Sequence, residues 1–262
     1  MRIVVCVKQV PASSQVTIDP ETKRLKREGV AAEMNPFDLY ALEEALLLRE
    51  KLGGRVMALS MGPKQAEATL RECLSMGADE AVLLTDRAFA GSDTWATSYA
   101  LARAVEALGD TDLVLCGKQA IDGDTAQVGP GLAAHLGWPQ VTYVSDVRQT
   151  EATHLVVERM NEEGFDVVEV RLPAVLTVVK DINTPRVPTL RACRAARRAT
   201  VTTLTAQQVN ADPANLGLGG SPTRVVKVGP PPARRRKTLV LDGPSESSAE
   251  RLVHELRMHS IV

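Results

Sequence analysis

The apolar positions in the first half of the chain follow two alternating patterns. Short unbroken runs, Ile3 to Val7, Val56 to Ser60, Ala81 to Leu84 and Leu113 to Cys116, have the form of strands buried on both faces. Longer stretches of helical spacing lie between them. Ala41, Ala45, Leu48 and Leu52 recur at intervals of four, three and four, which makes one apolar stripe. That helix opens at Asn35, whose side chain is placed to cap free N–H groups, with Pro36 in the first turn and Asp38 at the positive end; it closes at Gly53-Gly54. A second helix follows Gly62-Pro63 and stops at Gly77. A third is capped by Asp93 and runs to Leu108, and a fourth follows Gly117 and ends near Leu136. Strands alternating with helices of this length predict an α/β fold, a mostly parallel doubly wound sheet with crossover helices.

The second half loses the helical period. From Val141 to Val179, β-type runs such as Thr153 to Glu158 and Val167 to Arg171 succeed one another without a helix, which predicts antiparallel additions to the sheet. Thr17 to Leu25 has the form of a small hairpin around Asp19-Pro20, and Thr189 to Ala199 that of a basic helix. From Ala206 onward Gly, Pro and Ser are frequent, Gly229-Pro230-Pro231-Pro232 is a linker, and a helix from Ser247 to Met258 closes the chain. The expected division is an α/β domain over residues 1–205 and a C-terminal arm over 206–262 that grips a partner.

Composition adds a few exclusions. Aromatic residues make up only 3% of the chain, so the core must be built from Val, Leu, Ile and Ala. With 31 Lys and Arg against 32 Asp and Glu, the net charge of −1 argues against a nucleic-acid binder. Arg234-Arg235-Arg236-Lys237 lacks interleaved aromatics and does not change that reading. No apolar run approaches the roughly 20 residues that span a bilayer, and Met1 leads straight into a strand, so a cytoplasmic protein that is not membrane-embedded is expected. Cys6, Cys73, Cys116 and Cys193 are far apart, and His135, His154, His254 and His259 lack metal-ligand spacing, so no metal site is expected.

In sheets of this kind ligands bind beyond the carboxyl ends of the strands, where the strand order reverses. No G-x-G-x-x-G follows the first strand and there is no P-loop signature. The candidate segment is Gly117-Lys118-Gln119-Ala120-Ile121-Asp122-Gly123-Asp124-Thr125-Ala126-Gln127-Val128, between a buried strand and a helix. Its backbone N–H groups can meet phosphate. Gly117 and Gly123 permit close approach or positive φ, and Thr125 and Gln127 are neutral donors for phosphate and ribose. Asp122 and Asp124 are expected to cap the helix or to take ribose hydroxyls. On these residues alone, a capped turn without a ligand is the alternative.

At this segment the chain resembles a known family. Lys118-Gln119-Ala120-Ile121-Asp122 with Gln127 and Gly129 resembles the nucleotide-binding motif of electron-transfer flavoprotein beta subunits. Met34-Asn35-Pro36-Phe37-Asp38, followed by Glu43-Glu44-Ala45, resembles the second contact region of that family. Val5-Cys6-Val7-Lys8, Gly62-Pro63 and Met76-Gly77-Ala78-Asp79 fit in the same order. The resemblance runs from residue 1 to about residue 200. It implies a subunit that pairs with an alpha subunit holding a redox-active FAD and serves acyl-CoA-type or other dehydrogenases. It also implies that Cys6, Asn35, Pro36, Phe37, Asp38, Met61 and the segment Gly117 to Val128 surround an adenine nucleotide. Thr189, Leu190 and Arg191 resemble the loop that docks dehydrogenases in the AMP-binding members of the family.

In the simpler members that nucleotide is AMP, which carries no electrons. In another group it is a second FAD that takes hydride from NADH and divides the electron pair between two acceptors. Gly123 stands where AMP-binding members are expected to be bulkier, and the loop Asp86 to Thr94 resembles that of the bifurcating group. In that reading Ala88, Phe89, Asp93, Thr94 and Thr97 lie about the flavin; the alternative is an ordinary β–α loop with Phe89 in the core. Arg186, Arg191, Arg194, Arg197 and Arg198 form a basic stretch, expected to be either a solvated face or a docking surface for an acidic partner. Outside the family, an adenine-nucleotide-dependent enzyme or an AMP-sensing module stays open. The first is weakened because only Lys8 and Lys118 lie near the expected crevice.

Overall fold

The computed structural model describes residues 1–12, 32–226 and 238–262. The expected hairpin at Thr17 to Leu25, the Gly-Pro linker at 229–232 and the basic run at 234–237 lie outside the described residues. The chain divides into two compact units, Met1–Val226 and Lys227–Val262.

In the first unit β1 (Arg2–Cys6) is followed by an antiparallel ribbon of β2 (Gln9–Pro11) and β3 (Ala32–Met34). Then come α1 (Pro36–Leu52), β4 (Arg55–Met61), α2 (Glu67–Met76), β5 (Glu80–Leu84), α3 (Thr94–Leu108), β6 (Leu113–Gly117) and α4 (Val128–Leu136). β7 (Gln140–Thr150), β8 (His154–Met160), β9 (Phe165–Arg171), β10 (Ala174–Val178), α5 (Leu190–Ala196), β11 (Thr202–Leu204) and α6 (Gly217–Gly220) complete it. Among the described residues one sheet has the order β11-β5-β4-β1-β6-β10-β7-β8-β9.

The uninterrupted apolar runs have a simple cause. Successive strand side chains point to opposite faces. Ile3, Val5 and Val7 therefore enter the core shared with α1 and α2, while Val4 and Cys6 enter the core shared with α3 and α4. Both faces are covered, so every position must be apolar. All pairs from β11 to β7 are parallel, and β7, β8 and β9 pair antiparallel.

Three details differ from the sequence expectation. The β-rich second half is antiparallel only in β7–β9, because β10 doubles back and inserts in parallel between β6 and β7. α5 stops at Ala196, short of Ala199. The first compact unit extends through Val226, past Ala206, because Val209 and Leu216 enter the core beside Phe89. The second unit holds α7 (Ser245–Met258), which has no buried residue and exposes Leu252, Val253 and Met258.

The strand order fixes where a ligand can sit. The chain builds outward from β1 through β4 to β5, then α3 carries it back to β6 on the other flank of β1. The reversal falls between β1 and β6, whose carboxyl ends are Cys6 and Gly117.

Candidate functional site

Asn35 organises this crevice. Its backbone N–H donates to the Lys8 carbonyl at 2.8 Å. Its side-chain amide donates to Asp38 Oδ1 at 2.8 Å and to the Gln119 carbonyl at 2.9 Å, and its Oδ1 accepts the Ile121 N–H at 3.1 Å. The expected side-chain cap is therefore not made. The helix start is set by Pro36 and the backbone, and the Asn35 amide is spent tying the segment after β6 to the start of α1.

Asp38, 6% exposed, lies beneath this tie. It accepts the Lys8 N–H at 2.7 Å, and Gly117 N–H also donates to it. Burial pushes its carboxyl up to about 7, against the pull of Asn35, the two backbone donors and the Lys8 charge. Gly117 is required here by close approach. A Cβ at this position would overlap Asp38 Oδ1 and stand 2.6 Å from the Phe37 carbonyl carbon.

Beyond Gly117 the backbone makes a tight turn in which Gly123 and Asp124 N–H both donate to the Ala120 carbonyl, at 3.3 and 2.8 Å. Asp122 pairs with Lys8 Nζ at 2.7 and 2.9 Å, and Asp124 accepts from the Gln119 amide. Neither caps α4, whose first position follows Gln127 without a side-chain bond, which corrects the capping expectation. Positive φ falls at Asp124 (52°) and Ala126 (54°), not at the glycines. Residues so strained gather at ligand sites. A Cβ on Gly123 would meet nothing within 4 Å. Ile121 to Thr125 and Gln127 are exposed, whereas Lys118 to Ala120, Ala126 and Val128 are half-buried.

Lys118 Nζ stands over two rings, Phe37 at 5.7 Å and Tyr143 at 5.3 Å from their centroids, and Tyr143 itself has φ of 60°. Cys6 and Cys116 are register partners on β1 and β6. Their hydrogen bond, together with burial, pushes the Cys116 thiol up, so it stays protonated near neutrality. Met61, at the end of β4, is half-buried against the α3–α4 core.

The loop after β5 opens on the same edge of the sheet. Asp93 caps α3 as expected, accepting the Ala96 N–H at 3.0 Å. Its second oxygen accepts the Thr223 N–H at 2.9 Å and hydroxyl at 2.7 Å, and Leu218 N–H donates to the Ala90 carbonyl at 3.1 Å. The segment 217–226 is thereby fastened to this loop. Phe89 is packed in the core, Ala88 is exposed, and Thr94 and Thr97 are half-buried. Beside them Trp95 stacks on Tyr99 at 6.1 Å, and His135 meets the Trp95 ring edge-on at 5.1 Å. Among the described residues no cluster of three or more His, Cys, Asp or Glu could hold a metal.

Thr189 caps α5 through the Ala192 N–H at 3.2 Å, and Leu190 and Arg191 are exposed. Arg186 departs from the rest of the basic stretch. Its side chain is half-buried and committed, its Nε and Nη2 each donating to the buried Glu43 carboxylate at 2.9 Å. Asn183 donates to Glu44 at 3.0 Å and to the Tyr40 carbonyl at 3.1 Å. Asn183, Tyr143 and Thr223 had no place in the sequence reading of the site. One signal was available: Glu43-Glu44 sits within the apolar stripe of α1, and carboxylates placed there need partners.

A doubly wound parallel sheet with a strained, cation-flanked loop at its reversal point is the architecture of nucleotide-binding α/β proteins. The comparisons narrow that class. The electron transfer flavoprotein domain family matches residues 22–209. The chain is 49% identical, over all of both chains, to an electron transfer flavoprotein subunit beta of Thermoanaerobacterium thermosaccharolyticum. It is 45% identical, again over both whole chains, to the caffeyl-CoA reductase-Etf complex subunit CarD of Acetobacterium woodii. Protein FixA of Azorhizobium caulinodans is 46% identical, over 98% of this chain and 94% of its own. The chain belongs to the electron transfer flavoprotein family, among its beta subunits.

Proposed function

We propose that this beta subunit pairs with an alpha subunit carrying FAD, and that a second FAD occupies its own crevice and is reduced by NADH. The observation that carries this reading is the geometry of the open edge. The β1/β6 crevice and the loop after β5 lie on the same edge of the sheet, with β5, β4, β1 and β6 side by side. Three strand spacings of about 4.8 Å make roughly 14 Å, farther than a mononucleotide reaches and suited to a dinucleotide. The kinship with a subunit named for a caffeyl-CoA reductase complex supports the same reading.

The residues present fit such a group. Gly123 leaves open space where a phosphate can approach backbone N–H groups, and Lys8 and Lys118 offset anionic charge. Asp38, uncharged below about pH 7, spares the phosphates a nearby negative charge. Thr94 and Thr97 offer hydroxyl donors at the far end. The flavin, when bound, supplies the redox chemistry, and the chain positions and shields it. In this reading electrons pass between the complex and acyl-CoA-type or other dehydrogenases that dock at Thr189-Leu190-Arg191, in the cytoplasm, with the tail gripping the alpha subunit.

A second reading, AMP in the same crevice, is favoured by Phe89. Its ring is packed in the core, so the loop after β5 offers no aromatic surface to a flavin. The two separate in one experiment. The chain is co-expressed with an alpha subunit, the complex is denatured, and the released nucleotides are chromatographed. Two FAD per heterodimer, with flavin absorbance bleached by NADH in a stopped-flow trace, is the expected result. One FAD and one AMP would establish the simpler carrier.

A further inference from the structure

Residues 186–199 form a surface strip pinned at both ends, with α5 lying against α2. At the front, Arg186 donates through Nε and Nη2 to Glu43, whose side chain is 5% exposed. Arg186 Nη1 reaches Glu50 at 2.6 Å, and its backbone N–H reaches Glu43 again at 3.0 Å. A guanidinium bound in this forked way has one orientation, so the backbone beside it has one position. Pro185 and Pro188 on either side restrict φ and stiffen the extended stretch. At the back, Arg71 of α2 donates to the Ala196 carbonyl at 2.7 Å and the Ala199 carbonyl at 3.0 Å, while pairing with Glu67 at 2.6 Å. Between the two pins, Val187 and Leu190 are each 88% exposed.

Two large apolar side chains turned outward are unfavourable for the isolated subunit, and two arginines are committed to holding them there. We propose that Arg186 and Arg71 are positioning residues for dehydrogenase docking: through Glu43 and the α5 carbonyls they hold Val187 and Leu190 in the pose that enters an apolar recess of the partner. Neither arginine touches the partner; each acts through the strip. The inference rests on the docking reading of Leu190.

The test is a double-mutant cycle in the assembled alpha–beta complex, with a purified acyl-CoA dehydrogenase of the same organism as partner. Leu190→Ala removes the anchor. Arg186→Lys keeps the charge and removes the fork. KM for the dehydrogenase is expected to rise about tenfold in each single variant with kcat little changed, because misplacement weakens encounter and not the chemistry. The double variant is expected to fall well short of the product of the two effects, since both lose the Leu190 contact and Arg186→Lys adds only the loss at Val187. Hydrogen exchange of 187–196 should quicken in Arg186→Lys while flavin per complex stays constant. If Leu190→Ala raises KM but Arg186→Lys leaves it unchanged, or the two effects multiply, the positioning role is overturned and docking stands. If Leu190→Ala has no effect, the docking reading falls and the positioning role with it. Should Arg186→Lys fail to assemble, Arg71→Lys or the isosteric Glu43→Gln takes its place with the same expectations.

Discussion

Asp38 and Gly123 answer different questions about the site. Asp38 is buried, and burial favours its protonated form in the folded chain more than in the unfolded one. Its contribution to stability is thus complete below about pH 4 and is lost as pH rises through about 7, a total of a few kcal/mol by linkage. The melting temperature is expected to fall as pH rises from 5 to 8, and Asp38→Asn should flatten that slope. The variant should melt lower throughout, because its amide sets a donor against the N–H of Lys8 or the amide of Asn35. A slope identical in the two proteins would mean Asp38 is already ionised at pH 5. A side chain built on Gly123 would touch nothing in the chain, so Gly123→Asp should change stability by less than about 0.5 kcal/mol. If the second FAD is bound as proposed, the added carboxylate would meet its phosphates. Flavin content is expected to drop from two per heterodimer toward one, measured after denaturation.

At the scale of elements, much of the fold was legible because each central strand is apolar on both faces and each helix has a clear start and stop. β10 and β11 were not, since a run of residues shows that a strand exists but not which neighbour it joins. α1 was legible as a helix and not as a hub. An asparagine before a proline looks the same whether its amide caps a helix or reaches a loop more than 80 positions away in sequence, as Asn35 reaches Gln119 and Ile121. Within the candidate loop, the capping alternative for Asp122 and Asp124 failed because a carboxylate near a helix start does not reveal that Lys8 or Gln119 lies closer. Asn35→Ala removes three side-chain hydrogen bonds that join α1 to the loop after β6, each worth about 1 kcal/mol. The Tm is expected to fall by several degrees, and nucleotide should be lost on gel filtration of the complex. Retention of nucleotide would show that the loop holds its shape without the tie.

At the scale of the whole molecule, the division after Val226 is expected to separate folding from assembly. The first unit holds every buried apolar residue of both cores, including Val209 and Leu216. A chain ending at Val226 is therefore expected to melt cooperatively, at a temperature close to that of the full chain. α7 has an exposed apolar side and no buried residue, so the same truncation should abolish co-purification with a tagged alpha subunit. Full recovery of the pair without the tail would remove the gripping role.

α1 meets the proposed nucleotide crevice at Asp38 and the proposed docking strip at Glu43, and at 1.5 Å per residue these anchors are only about 8 Å apart along one rigid axis. No hinge or loop separates them. The helix is thus a short lever: whatever settles in the crevice leans on one arm, and the strip proposed to meet a dehydrogenase rides on the other. Even a nucleotide that never carries an electron could then matter to electron flow, by stiffening the fulcrum on which recognition turns.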